Sequence, residues 1–180
     1  MIIDNCKRAA LKRSANAMKR RIRLVMTTCL AMTACFVFTS SAKAQRNEVL
    51  SPDIASLQVT ADDKWLQMPI MQLGNGSVMN IAFDDLTHEY HRYAYKLEHC
   101  EADWTVSDQL FTSDYCKGFA DGNTIDDMEE SINTSVQYTH YRLQIPNDRC
   151  EPTISGNYRL TVYDDNTQDT VFKACFMIVE

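Results

Sequence analysis

Tyr93-Ala94-Tyr95-Lys96-Leu97-Glu98-His99-Cys100 alternates large apolar side chains with charged ones at a period of two. Successive side chains of an extended strand point to opposite faces, so Tyr93, Tyr95 and Leu97 share one face while Arg92, Lys96 and Glu98 share the other. The pattern returns at Tyr141, Leu143 and Ile145, at Tyr158, Leu160 and Val162, and at Phe172, Ala174, Phe176 and Ile178. Helical periodicity is almost absent after the first 44 residues. Strand candidates run over residues 55–60, 66–73, 77–83, 90–99, 139–145, 157–163 and 171–179. Gly74-Asn75-Gly76 predicts a hairpin between the second and third, because Asn-Gly accepts positive φ. Pro146-Asn147-Asp148 ends the fifth strand, and Asp164-Asp165-Asn166 turns the last hairpin. About seven short strands with one apolar face each imply two packed antiparallel sheets. The reading is all-β: an immunoglobulin-like antiparallel β-sandwich. Gly156-x-Tyr158-x-Leu160-x-Val162 has the form of its F strand, where a tyrosine bonds back to nearby backbone. Between residues 99 and 139 lies one long insertion loop of roughly 35 to 40 residues, a length that is usually functional when ordered.

Charge divides the chain. Residues 1–44 hold nine of the 18 Lys and Arg and one acid, Asp4, leaving 9 basic against 23 acidic residues, a net charge of −14. Lys19-Arg20-Arg21-Ile22-Arg23 forms a basic n-region, Leu24 to Phe38 an apolar h-region, and Ala42-Lys43-Ala44 a small-residue cleavage site. Residues 1–44 therefore read as a signal peptide, with Gln45 the first mature residue and Met18 an alternative start. The apolar run is shorter than the about 20 residues of a membrane span. Lipidation at Cys35 is disfavoured, because Phe36-Val37-Phe38 prolongs the apolar run past it. Residues 45–180 then form one exported domain, large enough for a core of its own. Its acidity excludes nucleic acid as a partner, since no Lys/Arg cluster survives to neutralise phosphates.

Four cysteines follow the leader: Cys100, Cys116, Cys150 and Cys175. In an oxidising compartment they permit two bridges in any of three pairings, which the sequence leaves open. Cys100 and Cys116, flanking the start of the insertion, are one candidate pair. His88 and His91 are three apart, and His99 and His140 sit among aromatic and acidic residues. No Cys-x-x-Cys or His-Glu-x-x-His pattern accompanies them, so neither a metal nor another cofactor is expected. The acidic run Asp121 to Glu130 fails the calcium-loop pattern, because Ile125, Asp126 and Ile132 occupy its fifth, sixth and twelfth positions. No nucleophile motif is present, and the reading is non-catalytic, with no small-molecule substrate. The insertion instead carries Trp104, Phe111, Tyr115 and Phe119. Each either pins the loop to the sandwich or faces outward as an anchor for a partner.

The same residues carry a family resemblance. Tyr95-x-Leu97-Glu98-His99-Cys100-x-Ala102-Asp103-Trp104, Tyr115-x-x-Gly118-Phe119, Ser131-Ile132-Asn133-Thr134 and Tyr138-Thr139-His140-Tyr141 follow one another in order, then Pro146-Asn147 and Ser155-Gly156-Asn157-Tyr158. Upstream, Pro69-Ile70-Met71-Gln72-Leu73-Gly74 and Phe83-Asp84-Asp85-Leu86 fit the same series. From about Leu57 to Glu180 the chain resembles the N-terminal domain of the type IX secretion system plug protein. The resemblance implies a periplasmic protein, associated with the outer membrane, that binds the periplasmic mouth of the translocon barrel and closes it. On that reading Trp104, Tyr115, Phe119 and Asp126 lie on or support the docking surface. Proteins of that family usually continue into further β-rich domains, whereas this sequence stops at Glu180. A second reading is an exported ligand- or glycan-binding sandwich acting in adhesion, because the fold hosts many functions.

Overall fold

The computed structural model describes residues 47–87 and 89–180. The expected leader, the Met18 start, the cleavage site, Cys35 and His88 lie outside the described residues. Twelve strands and one helical turn follow one another among those described. They are β1 (Glu48–Val49), β2 (Ile54–Ala61), β3 (Ile70–Gln72), β4 (Met79–Asp85), β5 (Tyr93–Cys100), α1 (Thr112–Tyr115), β6 (Cys116–Gly118), β7 (Asp121–Thr124), β8 (Asp127–Glu130), β9 (Thr139–Ile145), β10 (Cys150–Pro152), β11 (Gly156–Asp164) and β12 (Thr170–Val179).

One sheet runs β2-β4-β9-β8, and the other β1-β12-β11-β5-β7 with β3 added beside β12. β6 and β10 form a separate two-stranded ribbon. All named pairings are antiparallel except that of β3 with β12. In chain order, β2, β4, β8 and β9 occupy the places of strands A, B, D and E of a constant-type immunoglobulin sandwich, and β5, β11 and β12 those of C, F and G. The insertion therefore lies between strands C and E and contains strand D.

Three expectations are corrected. Residues 66–73 do not form one strand: Trp65, Leu66 and Met68 are exposed turn residues, and only Ile70–Gln72 pairs. Backbone bonds from Lys64 to Ala61 and from Gln67 to Lys64 close turns there, and Pro69 cannot donate to a ladder. Gly74-Asn75-Gly76 is consequently not a hairpin. β3 belongs to one sheet and β4 to the other, so the turn carries the chain between sheets. Gly74 and Gly76 sit at φ 74° and 79°, and the Asn75 side chain bonds to Gln72 and accepts from the Ser77 N–H. Nor is the insertion a featureless loop. β7 extends one sheet beside β5, and β8 extends the other beside β9. The sequence concealed these strands because all four β8 residues are exposed on a sheet edge and β7 is Asp-Gly-Asn-Thr, so neither alternates.

The core between the sheets has two aromatic groups. Phe83 stacks on Tyr141 at 5.2 Å and meets Tyr93 and Phe172 edge-on at 5.4 and 4.8 Å. Tyr158 stacks on Phe176 at 5.9 Å and meets His99 edge-on at 5.3 Å. Asp85, fully buried at the end of β4, accepts from the Tyr93 hydroxyl at 2.9 Å and from the Thr87 N–H and hydroxyl. The expected bond back to the backbone is present: the buried Tyr158 hydroxyl donates to the Ile154 carbonyl at 2.8 Å. On the outer face of the same sheet, Glu98 lies between Lys96 at 3.0 Å and Arg159 at 2.9 Å.

Tyr158→Phe removes a buried donor and is expected to cost about 1–2 kcal/mol in urea unfolding with an unchanged m-value. A pH dependence follows from two carboxylates. Burial raises the Glu98 pKa, but bonds from Arg159 and Lys96 outweigh it and leave it below 4.5. Burial likewise raises that of Asp164, and the Asn166 N–H, His91 and the Thr167 N–H bring it below 3.8. A depressed folded pKa gives stability that is present above the unfolded value and lost as pH falls through the folded one. The urea midpoint should therefore fall progressively from about pH 5 downward, and Glu98→Gln should flatten part of that slope.

Candidate functional site: an interaction surface on the insertion

The insertion leaves β5 through a tight turn in which the Trp104 N–H bonds to the Glu101 carbonyl, with Trp104 at φ 66°. Its indole is half-buried. The Ser107 N–H then reaches back to the His99 carbonyl, and the Ser107 hydroxyl meets His99 Nδ1 at 2.8 Å. Phe111, 78% exposed, precedes α1, where the Asp114 carboxylate accepts from its N–H. Tyr115 turns inward. It is 8% exposed, and its hydroxyl donates to the Leu97 carbonyl at 3.3 Å. Tyr115 can therefore support an interaction surface but not form one.

Phe119 and Asp126 are brought together by Arg149, which sequence reasoning did not single out. The Phe119 N–H bonds to the Arg149 carbonyl at 2.8 Å, and the Phe119 ring is 73% exposed. Asp126 accepts from the Arg149 guanidinium at 2.7 Å, and the same guanidinium donates to the Thr124 carbonyl and hydroxyl. The Thr124 hydroxyl and Arg149 hold the Asp126 carboxyl below its usual range. Arg149 thus bolts the strand-to-strand passage of the insertion to the start of β10. No local pattern marks it, because its partners are 23 to 25 residues away. Gly118 makes the close approach feasible: at φ 97°, a Cβ there would run into the Arg149 carbonyl.

Beside this bolt lies an open cleft of about 590 Å³, lined in part by Tyr95, Thr124, Asp126, Asp127, Arg142 and Arg149. Both of its arginines are already paired, Arg142 with Asp127 and Glu129 at 3.3 Å and Arg149 with Asp126, while Asp63 and Asp148 also line it and leave it net acidic. Such a wall offers polar contacts to a macromolecule rather than a free cation to a small ion. Among the described residues no group of three or more His, Cys, Asp or Glu side chains is placed to hold a metal. The three described histidine rings bond side chains: His91 to Asp164 at 3.1 Å, His99 to Ser107, and His140 to Asp84 at 2.6 Å. The acidic run is solvated but forms β7 and β8 rather than a loop; Asp121 accepts from the Tyr163 hydroxyl, while Asp126 and Asp127 hold the two arginines.

Cys100 does not meet Cys116. Cys116 lies in the inter-sheet core against Cys150, whereas Cys100 points to the opposite face of its sheet, with Glu98 and Arg159. Trp104 stands at the start of the insertion, apart from the arginine-centred pair. Exposed Leu66 and Met68 were missed as surface residues because they fell within an expected strand, and exposed Trp65 directly precedes it.

Comparison with known proteins gives two results. The family model for the type 9 secretion system plug protein first domain matches residues 54–180. Among solved structures, a hypothetical protein from Parabacteroides merdae is 43% identical with a TM-score of 0.72, covering 76% of this chain and 34% of that one. The chain thus spans about a third of that protein's length. No curated protein matches.

Gly118→Ala should separate the insertion from the ribbon while sparing the sandwich. Limited proteolysis should then cut within residues 101–138 several-fold faster, with the near-ultraviolet spectrum of the core retained.

Proposed function

This chain belongs to the family of type IX secretion system plug protein first domains, a non-catalytic, secretion-related and envelope-associated family, and we propose that it acts in the periplasm by docking on the mouth of the outer-membrane translocon barrel. The observation that carries the reading is the extent of the family match, which takes in the sandwich from β2 to the last residue. The mechanism is steric. A sandwich closed by two sheets is rigid enough to occupy an opening, and the insertion, built into an edge of each sheet, presents contacts at fixed positions. Phe111 and Phe119 are its exposed aromatic anchors, and large rings of this kind dominate interface energetics. Trp104 and Tyr115 brace the surface from behind, and Asp126 with Arg149 supplies its polar rim. Acidic side chains disfavour adsorption on anionic lipid and leave recognition to shape and to specific contacts.

The test is crosslinking of the tagged exported chain in its native envelope, followed by affinity isolation. Recovery of the translocon barrel is the expected outcome; clean recovery of the tagged chain without it would sink the proposal. Phe111→Ala and Phe119→Ala should each weaken barrel binding by about 1–3 kcal/mol, with the fold unchanged because neither ring is buried.

A further inference from the structure

Cys116 opens β6 and Cys150 opens β10. In the antiparallel ribbon Cys116 lies opposite Pro152 and Cys150 opposite Gly118, so the two cysteines are diagonal neighbours on one face. The right-handed twist of a two-stranded ribbon closes one such diagonal. Here the sulfurs stand 3.0 Å apart, both thiols being buried in the inter-sheet core. Cys100 and Cys175 offer no competing geometry. Cys100 is on β5 opposite Asn157, Cys175 on β12 opposite Arg159, and β11 runs between them. Two strand spacings are about 9.5 Å, beyond the roughly 7 Å over which Cα atoms can be bridged. Both also lie outside the core cluster that contains Cys116 and Cys150.

We infer that Cys116 and Cys150 are a disulfide-forming pair that clasps the root of the insertion to the sandwich. The oxidant is a disulfide, small or carried by a thiol oxidoreductase. One cysteine thiolate attacks a sulfur of the oxidant, forming a mixed disulfide and releasing one thiol. The second thiolate displaces the remaining thiol, so the pair gives up two protons and two electrons and the oxidant becomes two thiols. Burial pushes the Cys150 thiol well up, as does its neighbour Cys116. That suppresses the thiolate in the folded chain, so the bond forms during folding and is shielded afterwards, as suits a structural clasp rather than a catalytic dithiol. Its position serves the surface described above. Arg149 precedes Cys150 and Phe119 lies three residues beyond Cys116, so the clasp fixes the exposed ring and the Asp126–Arg149 pair from both sides. The inference is independent of which partner docks there.

The test uses the full chain, unfolded under reduction and refolded with oxidised glutathione. Remaining thiols are alkylated, and the product is cut with trypsin and a glutamate-specific protease. Cleavage at Glu101 places Cys100 and Cys116 in different peptides. The expected product contains a linked peptide pair joining Cys116 to Cys150 and no link from either to Cys100. The closed loop, whose ends are 34 residues apart, should raise Tm by roughly 10 °C over the reduced chain. The shift should vanish in Cys116→Ala/Cys150→Ala and persist in Cys100→Ala/Cys175→Ala. Alkylated Cys116 and Cys150 after refolding, or linkage of either to another cysteine, would overturn it whether or not the variants fold.

Discussion

Phe83 and Tyr141 project from one sheet and Tyr93 and Phe172 from the other, and their mutual contacts set how far apart the sheets can stand. Each ring is buried to within a few per cent, and together they supply a large share of the apolar area that drives folding. Their packing also dictates where polar atoms can go. The Tyr93 hydroxyl has to find a partner in a dry interior, and Asp85 supplies it. His91 stacks on Tyr93 and bonds Asp164, and the Tyr141 hydroxyl donates to the His91 carbonyl. The end of β4, the entry to β5 and the end of β11 are therefore held in one network that exists because four rings meet.

The opposite end of the sandwich repeats the arrangement with a different purpose. Tyr158 and Phe176 stack, His99 meets Tyr158 edge-on, and Tyr115 closes the group. Tyr115 belongs to the insertion, so the insertion is fastened to the core by its own aromatic. Gly156 is required here: at φ 150° it passes so near His99 that a Cβ would collide with the imidazole. With Tyr115 inside, Arg149 across the ribbon and two strands annexed to the sheet edges, the segment gives up little conformational freedom on meeting a partner. Preorganisation of that kind raises affinity without adding contacts.

The family places the domain in type IX secretion, and the match covers 34% of the similar solved chain. Exposed Trp65, Leu66 and Met68 lie on the turn before β3, away from the sequence of the insertion, and their exposure is high for side chains of that size. Apolar side chains in that position extend the surface on which a larger assembly could be built. The ion pairs of Arg142 and Arg149 in the cleft give it orientation rather than strong attraction, since exposed ion pairs contribute little energy but do penalise a wrong register.

What the sequence determined by itself was everything written in a local period. The alternation of Tyr93, Tyr95 and Leu97, and of Tyr158, Leu160 and Val162, fixed the long central strands and their buried faces, because burial on one side of a pleat demands that pattern. The tyrosine bond to Ile154 was legible for the same reason, being set by neighbours in the chain, and the ordered motifs identified the family. Only the tertiary structure decided the rest. β7 and β8 have no apolar period and become strands because an existing sheet edge offers hydrogen bonds to their backbone. Ile70–Gln72 joins β12 rather than β4, since its partner is more than a hundred residues away. Tyr115 went inward and Phe119 outward by virtue of a ribbon formed with β10, and Cys116 chose Cys150 over Cys100 because a sheet separates the latter two. Contacts between distant segments leave no local trace, and the candidate surface is made almost entirely of them.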